Sequence, residues 1–250
     1  MRYGIFSDVH GNLEAFQAVL EAYKKENIDT YLCAGDSVGY GANPGECLHL
    51  IRELKAQSVA GNHDWAVAGK LDCHYFNRAA QEAVFWTQHQ ISPEDRNFLS
   101  NLDLVYSHDD LILVHGTLYE PACFHYLVER EQADRIFHLM NRNICFIGHT
   151  HVPLVLVQDG EGRNILPDSK PSASGGRSKI ELDSRPRYIV NVGSVGQPRD
   201  GNPSAAYGIY DSDARTFEIH RIAYDIETAQ RKILEAGLPE FLAYRLRMGQ

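Results

Sequence analysis

No stretch of the sequence approaches the about 18 consecutive apolar residues of a membrane-spanning helix, so a membrane protein is not expected. The five cysteines in 250 residues, Cys33, Cys47, Cys73, Cys123 and Cys145, include no Cys-x-x-Cys pair. Odd in number and scattered, they predict neither a disulfide framework nor a thiolate zinc site. Cys33 and Cys145 stand inside apolar runs and read as small buried hydrophobes. Positive charge is in short supply: 24 Lys and Arg against 33 Asp and Glu leave a net charge of −9. Binding of long nucleic acid depends on many basic residues neutralising phosphates, so such a polymer is not an expected partner. There is no solenoid-type repeat, and only 167–185, rich in Ser, Gly, Pro and charge, has low-complexity character; it reads as a flexible loop. An apolar run directly behind Met1 leaves no room for a signal peptide, which with unpaired thiols predicts a cytoplasmic protein.

What is present is an ordinary globular composition, 44% hydrophobic and 23% charged, expected to build one α/β domain over 1–250. The chain is organised around Met1-Arg-Tyr-Gly-Ile-Phe-Ser-Asp-Val-His-Gly-Asn12. A β-prone run stops at Asp8 and a helical pattern starts after Gly11, which puts Asp8 and His10 at the carboxyl end of a strand. Open α/β sheets keep their ligands there.

Leu13, Phe16, Val19, Leu20 and Tyr23 then recur at helical spacing, and the strand Thr30 to Ala34 completes a βαβ unit ending in Gly35-Asp36. A Gly-rich loop, 37–44, leads to a helix begun by Pro44. A short, weak strand from Ser58 to Ala60 precedes Gly61-Asn62-His63-Asp64. Residues 65–100 read as a helical insertion with a second clear start at Ser92-Pro93; its His74, Arg78 and His89 read as surface or packing residues. A hairpin, 104–114, delivers His115. The loop beyond it carries Tyr119, His125 and Tyr126, read as aromatic packing beside the pocket. After a helix from Glu129 to Met140, the strand Cys145 to Ile147 ends in Gly148-His149-Thr-His151. Strands follow at 154–158 and 188–192. A last hairpin, 206–222, is expected to extend the second sheet, and a helix from about Ile226 to Ala236 to close the chain.

Five separate stretches thus bring Asp, Asn or His to strand ends. A two-metal site requires this, because no single helix or loop can surround two cations. The set, in this order from Met1 to Pro198, resembles the calcineurin-like metallophosphoesterases, in particular their small bacterial phosphodiesterase and phosphatase branch.

That resemblance implies a four-layer αββα sandwich of two mixed sheets. It implies two divalent ions, one held by Asp8, His10, Asp36 and His151, the other by Asp36, Asn62, His115 and His149, with Asp36 shared. Mixed imidazole and carboxylate donors favour Mn²⁺, then Fe, Zn²⁺ or Ni²⁺, over Mg²⁺ or Ca²⁺. The implied reaction is hydrolysis of phosphate mono- or diesters of a small or nucleotide-like substrate by a hydroxide bridging the metals. Neutral Asn62 keeps roughly +2 of surplus charge at the site for an anionic substrate. His63 is the expected acid for the leaving oxygen, since its ordinary pKa of about 6.5 suits the task, and Asp64 the group that orients it. The protein Ser/Thr phosphatases of this superfamily carry Gly-Asp-x-Val-Asp-Arg-Gly at the second block, where this chain has Gly35-Asp-Ser-Val-Gly39-Tyr40-Gly41. The missing Asp-Arg pair disfavours phosphoprotein phosphatase activity. Arg199 becomes the candidate phosphate contact, against a plain ion pair with Asp200 or Asp211, and Tyr40 and Asn62 are candidate substrate contacts. The remaining alternative is a metal-binding scaffold of the same fold, against which the retention of His63 argues. Oligomeric state is left open, a homo-oligomer included.

Overall fold

The computed structural model describes residues 1–165 and 176–250. In chain order the elements are β1 (Arg2–Phe6), α1 (Leu13–Tyr23), β2 (Thr30–Cys33), α2 (Pro44–Glu53), β3 (Gln57–Ser58), α3 (Asn62–Ala68), α4 (Arg78–Gln90), α5 (Pro93–Ser100), β4 (Val105–His108), β5 (Leu111–Val114), α6 (Arg130–Leu139), β6 (Ile144–Ile147), β7 (Leu154–Gln158), β8 (Asn164–Ile165), β9 (Arg177–Glu181), β10 (Arg187–Asn191), β11 (Ala205–Asp211), β12 (Thr216–Ile222), α7 (Ile226–Glu235) and α8 (Glu240–Met248). They build two six-stranded sheets, ordered β3-β2-β1-β11-β12-β9 and β4-β5-β6-β10-β7-β8. Both are mixed: β1 pairs parallel with β2 and antiparallel with β11, and β10 parallel with β6 and antiparallel with β7.

Strand periodicity explains the layering. Successive side chains point to opposite faces, and the central strands are apolar on both, as expected of strands covered on each side. Tyr3 and Ile5 of β1, Leu111 and Leu113 of β5 and Ile144 and Phe146 of β6 meet between the sheets. Their alternates face outward. Phe6 packs with Phe16, Val19 and Ile51 of α1 and α2, while Ile112, Cys145 and Ile147 pack with Ile136 and Phe137 of α6. The four expected layers result. Each such fully buried side chain contributes about 1.5–3 kcal/mol of transfer free energy.

Four expectations are corrected. The last hairpin, β11 and β12, joins the first sheet, not the second: β11 lies beside β1 with Tyr3 opposite Tyr210. Within the stretch expected to be a flexible loop, Arg177–Glu181 is an edge strand paired with β12; only Ile180 of it is buried, so it shows almost no apolar signal. Residues 166–175 of that stretch lie outside those described. The helical insertion is broken by a 3₁₀ turn at Cys73–Tyr75. The chain closes not on α7 but on α8, whose Leu242, Ala243 and Leu246 pack against Ala80, Ala83 and Tyr40.

The start of α5 rests on a reciprocal cap: Ser92 Oγ accepts from Asp95 N at 3.0 Å, and Asp95 Oδ2 accepts from Ser92 N at 3.2 Å. Asp95 Oδ1 also receives Arg52 Nη1 of α2 at 2.5 Å, tying the insertion to the sandwich. Ser92→Ala is expected to cost about 1 kcal/mol, read as a lower denaturant midpoint at unchanged slope. An unmoved midpoint would show that the cap does not stabilise the fold.

Candidate metal centre

The carboxyl ends of β1, β2, β5 and β6 meet at one end of the sandwich, so both sheets contribute to a single site. Its side chains leave their strands on unusual backbone: Asp8, His10, Asp36, Tyr40, His149 and His151 all have positive φ, between 49° and 67°. Left-handed conformations are unfavourable for residues with a Cβ, and their concentration at one place marks a functional constraint. Close approach adds to it. A Cβ on Gly61 would lie 2.0 Å from Asp36 Oδ1, so only glycine lets the third block reach the second.

All seven expected metal ligands are buried and converge. Asp8, His10 and His151 form one group, and Asp36, His115 and His149 another, with ligand atoms within 4.8 Å of one another in each. Asp36 Oδ2 lies 3.7 Å from His10 Nε2 and 3.3 Å from His115 Nε2, between the two groups. Asn62 Oδ1 is 3.2 Å from His115 Nε2.

The hydrogen-bond pattern tests whether cations fit. Backbone carbonyls of Val38, Ala34 and Gln197 lie 2.9, 2.7 and 2.6 Å from Nδ1 of His10, His115 and His151. A carbonyl can only accept, so each Nδ1 carries hydrogen, and whenever the ring is neutral its Nε2 presents a lone pair, the outer arrangement usual for metal-bound histidines. Yet His10 Nε2 and His151 Nε2 face each other at 3.1 Å. Two lone pairs that close repel unless a cation or proton lies between them. The same separation suits adjacent ligands of one ion with metal–nitrogen bonds of about 2.0–2.1 Å. His115 Nε2 and His149 Nδ1 repeat it at 3.1 Å, and the buried Nε2 of His149 has no partner among the described residues. The donor set fits two divalent ions.

Electrostatics agree. Burial opposes the charge of Asp8 and of Asp36, but His151 beside the first and His115 beside the second outweigh it and hold both carboxyls well below the ordinary range. Burial pushes His10 and His151 down, and burial with His115 nearby takes His149 to about 3. These three imidazoles are therefore neutral, as ligation requires. His115 is the exception. Asp36 overcomes its burial and raises it to about 9, so in the bare site a proton holds part of the place a cation would take.

His63 puts a ring nitrogen within 4.8 Å of ligand atoms of His10 and Asp36, and its Nε2 lies 3.1 Å from the Tyr40 hydroxyl. Burial lowers its pKa to about 4. The departure at Gly39-Tyr40 now has a physical account. A Cβ at Gly39 would fall 2.5 Å from His63 Nδ1, so no side chain fits there, and Tyr40 partners the histidine instead. The expected role of Asp64 is corrected: its carboxylate turns away from the ring to accept from the backbone N–H groups of Asp36, Ser37 and Gly61 at 2.8, 2.9 and 3.0 Å. Asp64 shapes the loop that aims Asp36. Burial, reinforced by the Asp36 charge, raises its pKa to about 7.

Arg199 is not paired with Asp200 or Asp211, which bind Arg221 and Arg2. Its guanidinium donates to Gln197 Oε1 at 2.8 Å and lies 5.8 Å from the centre of the Tyr40 ring. Sequence reasoning missed the braces of the segment after β10. Ser194 Oγ donates to the Asp8 carbonyl at 2.8 Å, Asn191 Nδ2 to the Gly148 carbonyl at 2.6 Å, and the Gln197 carbonyl meets His151. The signal was Asn191 at the end of a strand run and Ser194 just behind it. Beside His63 and His149 opens a cleft of about 500 Å³ lined in part by the insertion.

Comparison with known proteins places this geometry. The family model for the calcineurin-like phosphoesterase superfamily domain matches residues 1–215. The chain is 40% identical to an uncharacterized protein of Methanocaldococcus jannaschii, over 98% of this chain and 97% of that one. It is 24% identical to the phosphodiesterase YfcE of Escherichia coli, over 85% and 89% of the two chains. The crystal structure of a metallophosphoesterase from Sphaerobacter thermophilus superposes with a TM-score of 0.86 at 38% identity, covering 100% of both chains.

Proposed function

The chain belongs to the calcineurin-like phosphoesterase superfamily, and on that premise we propose that this phosphoric ester hydrolase cleaves mono- or diesters of a small, nucleotide-like substrate at a centre for two divalent metal ions. The observation that carries the reading is the pair of facing imidazole nitrogens, His10 with His151 and His115 with His149, each 3.1 Å apart. Asp8, His10, Asp36 and His151 would hold one ion and Asp36, Asn62, His115 and His149 the other. The mixed nitrogen and oxygen donors favour Mn²⁺, with Fe, Zn²⁺ or Ni²⁺ as alternatives. Divalent ions held there supply Lewis-acid charge and make water a nucleophile near neutral pH.

The remaining steps belong to the protein. The backbone carbonyls behind His10, His115 and His151 fix which ring nitrogen is turned to the metal positions. His63 Nε2, with the Tyr40 hydroxyl as its neighbour, holds the proton for the departing oxygen. Arg199, steadied by Gln197 and resting on Tyr40, offers positive charge to a non-bridging phosphoryl oxygen. Burial of the ligands keeps bulk water from screening these interactions. No helix among the described residues is long and apolar enough to cross a membrane, and five unpaired cysteines suit a cytoplasmic location.

The test is turnover of bis-p-nitrophenyl phosphate and p-nitrophenyl phosphate with Mn²⁺, after chelation, and after Mn²⁺ is returned. Activity should vanish on chelation and come back. Saturating metal should also raise thermal stability, by about 2.7 kcal/mol at a hundred times the dissociation constant. Metal-loaded protein that turns over neither ester would support the scaffold alternative instead.

A further inference from the structure

The cleft beside the metal centre has walls the hydrolytic reaction does not require. Phe76, between the 3₁₀ turn and α4 of the insertion, packs against His63 with ring centres 4.9 Å apart. Opposite, Tyr126 stacks on His149 at 3.9 Å and 20°. Phe124 closes the side nearest His115, on a backbone with φ of 49° that a bulky residue seldom adopts without a functional reason. Tyr75 stands at the mouth, 92% exposed. The volume of about 500 Å³ lies in the range of small-molecule sites, far more than a phosphoryl group fills. One end is formed by the reacting groups Asn62, His63 and His149, so whatever occupies the cleft is attached to the phosphate. A sugar or polyol would need donors and acceptors along its length, whereas away from the metal centre the lining is mostly apolar or aromatic, with Leu71, Phe76, Ala80, Phe124 and Tyr126, and the polar Asp72 and Asn77 are exposed.

We propose that this cleft is a subsite for a planar aromatic ring in the organic part of the ester, a nucleobase or a simple aryl group, and that Tyr75 and Phe76 determine this specificity. The inference rests on the phosphoesterase reading and adds its substrate class. Stacking on aromatic side chains is tolerant of ring identity, so the subsite selects for a ring over none, more than for one base over another.

The test is calorimetric binding to the manganese-loaded protein of three non-hydrolysable phosphonates: the analogue of adenosine 5′-monophosphate, phenylphosphonate, and the analogue of ribose 5-phosphate. The ringed compounds are expected to bind ~10-fold tighter than the ribose compound. Adenosine ahead of phenyl would identify a nucleotide, the reverse a simple aryl ester. Tyr75→Ala, at an exposed position, and Phe76→Leu, which keeps apolar volume, should each shrink the preference and leave ribose analogue affinity unchanged. Equal binding of ringed and ringless compounds by the wild type, or a preference untouched by both substitutions, overturns the proposal and leaves the phosphoesterase reading intact. Failure of all three to bind overturns both.

Discussion

Asp36→Asn should lose ~10³-fold in phosphoester turnover, the upper end of what removing one charge-stabilising group costs, and should retain less metal than the wild type. The substitution keeps the side chain's shape, and Oδ1 can still accept the His63 backbone N–H, now at 2.8 Å. It removes the negative charge that lies between His10 and His115. That charge is shared by both halves of the centre, so its loss weakens both where loss of an outer ligand such as Asp8 weakens one. The amide also brings hydrogens where a cation would need only lone pairs. Elemental analysis and turnover on the same preparation, with circular dichroism to confirm folding, read the outcome. Wild-type turnover at wild-type metal content would contradict the assignment of Asp36 as the shared ligand.

His63→Ala has a different signature. Metal content should be kept while kcat falls by ~10²- to 10⁴-fold, the range of a lost general acid. The ring lies beside the ligand cluster, where burial lowers its pKa to about 4 and leaves it neutral near pH 7, so to serve as the acid it must take up its proton beside the negative charge of the bound phosphate, which favours the protonated form. Tyr40→Phe should retain more activity than His63→Ala, because it removes only the hydroxyl partner of Nε2. Unchanged kcat in His63→Ala would show that the leaving oxygen takes its proton from elsewhere, and lost metal would make His63 a ligand instead.

The fold and the convergence of the candidate ligands were readable for one physical reason: a strand run announces itself in apolar residues, and a polar residue behind it stands at a strand end. Asp8, Asp36, His115 and His149 all follow that pattern, and the structure brings them together with His10, Asn62 and His151. What could not be read depends on tertiary pairing. The alternation in 205–222 is that of any hairpin, and nothing local says that Tyr210 faces Tyr3. The strand Arg177–Glu181 buries one apolar side chain, too little to stand out from the polar stretch around it. Asp200 adjoins Arg199 in sequence yet pairs with Arg221, and Asp64 adjoins His63 yet points to the backbone of the neighbouring block. Side-chain direction is set by the folded surroundings, so adjacency in the chain was a poor guide in both cases. The braces Asn191, Ser194 and Gln197 were hidden similarly, since their partners lie in the loops that follow β1 and β6.

The most direct test of the central claim is a titration of Mn²⁺ into chelator-stripped wild-type protein, with bound metal and diester turnover followed together. Two ions per chain are predicted, with turnover rising as the second site fills. Turnover by the stripped protein, or no metal bound and no turnover at saturation, would contradict it.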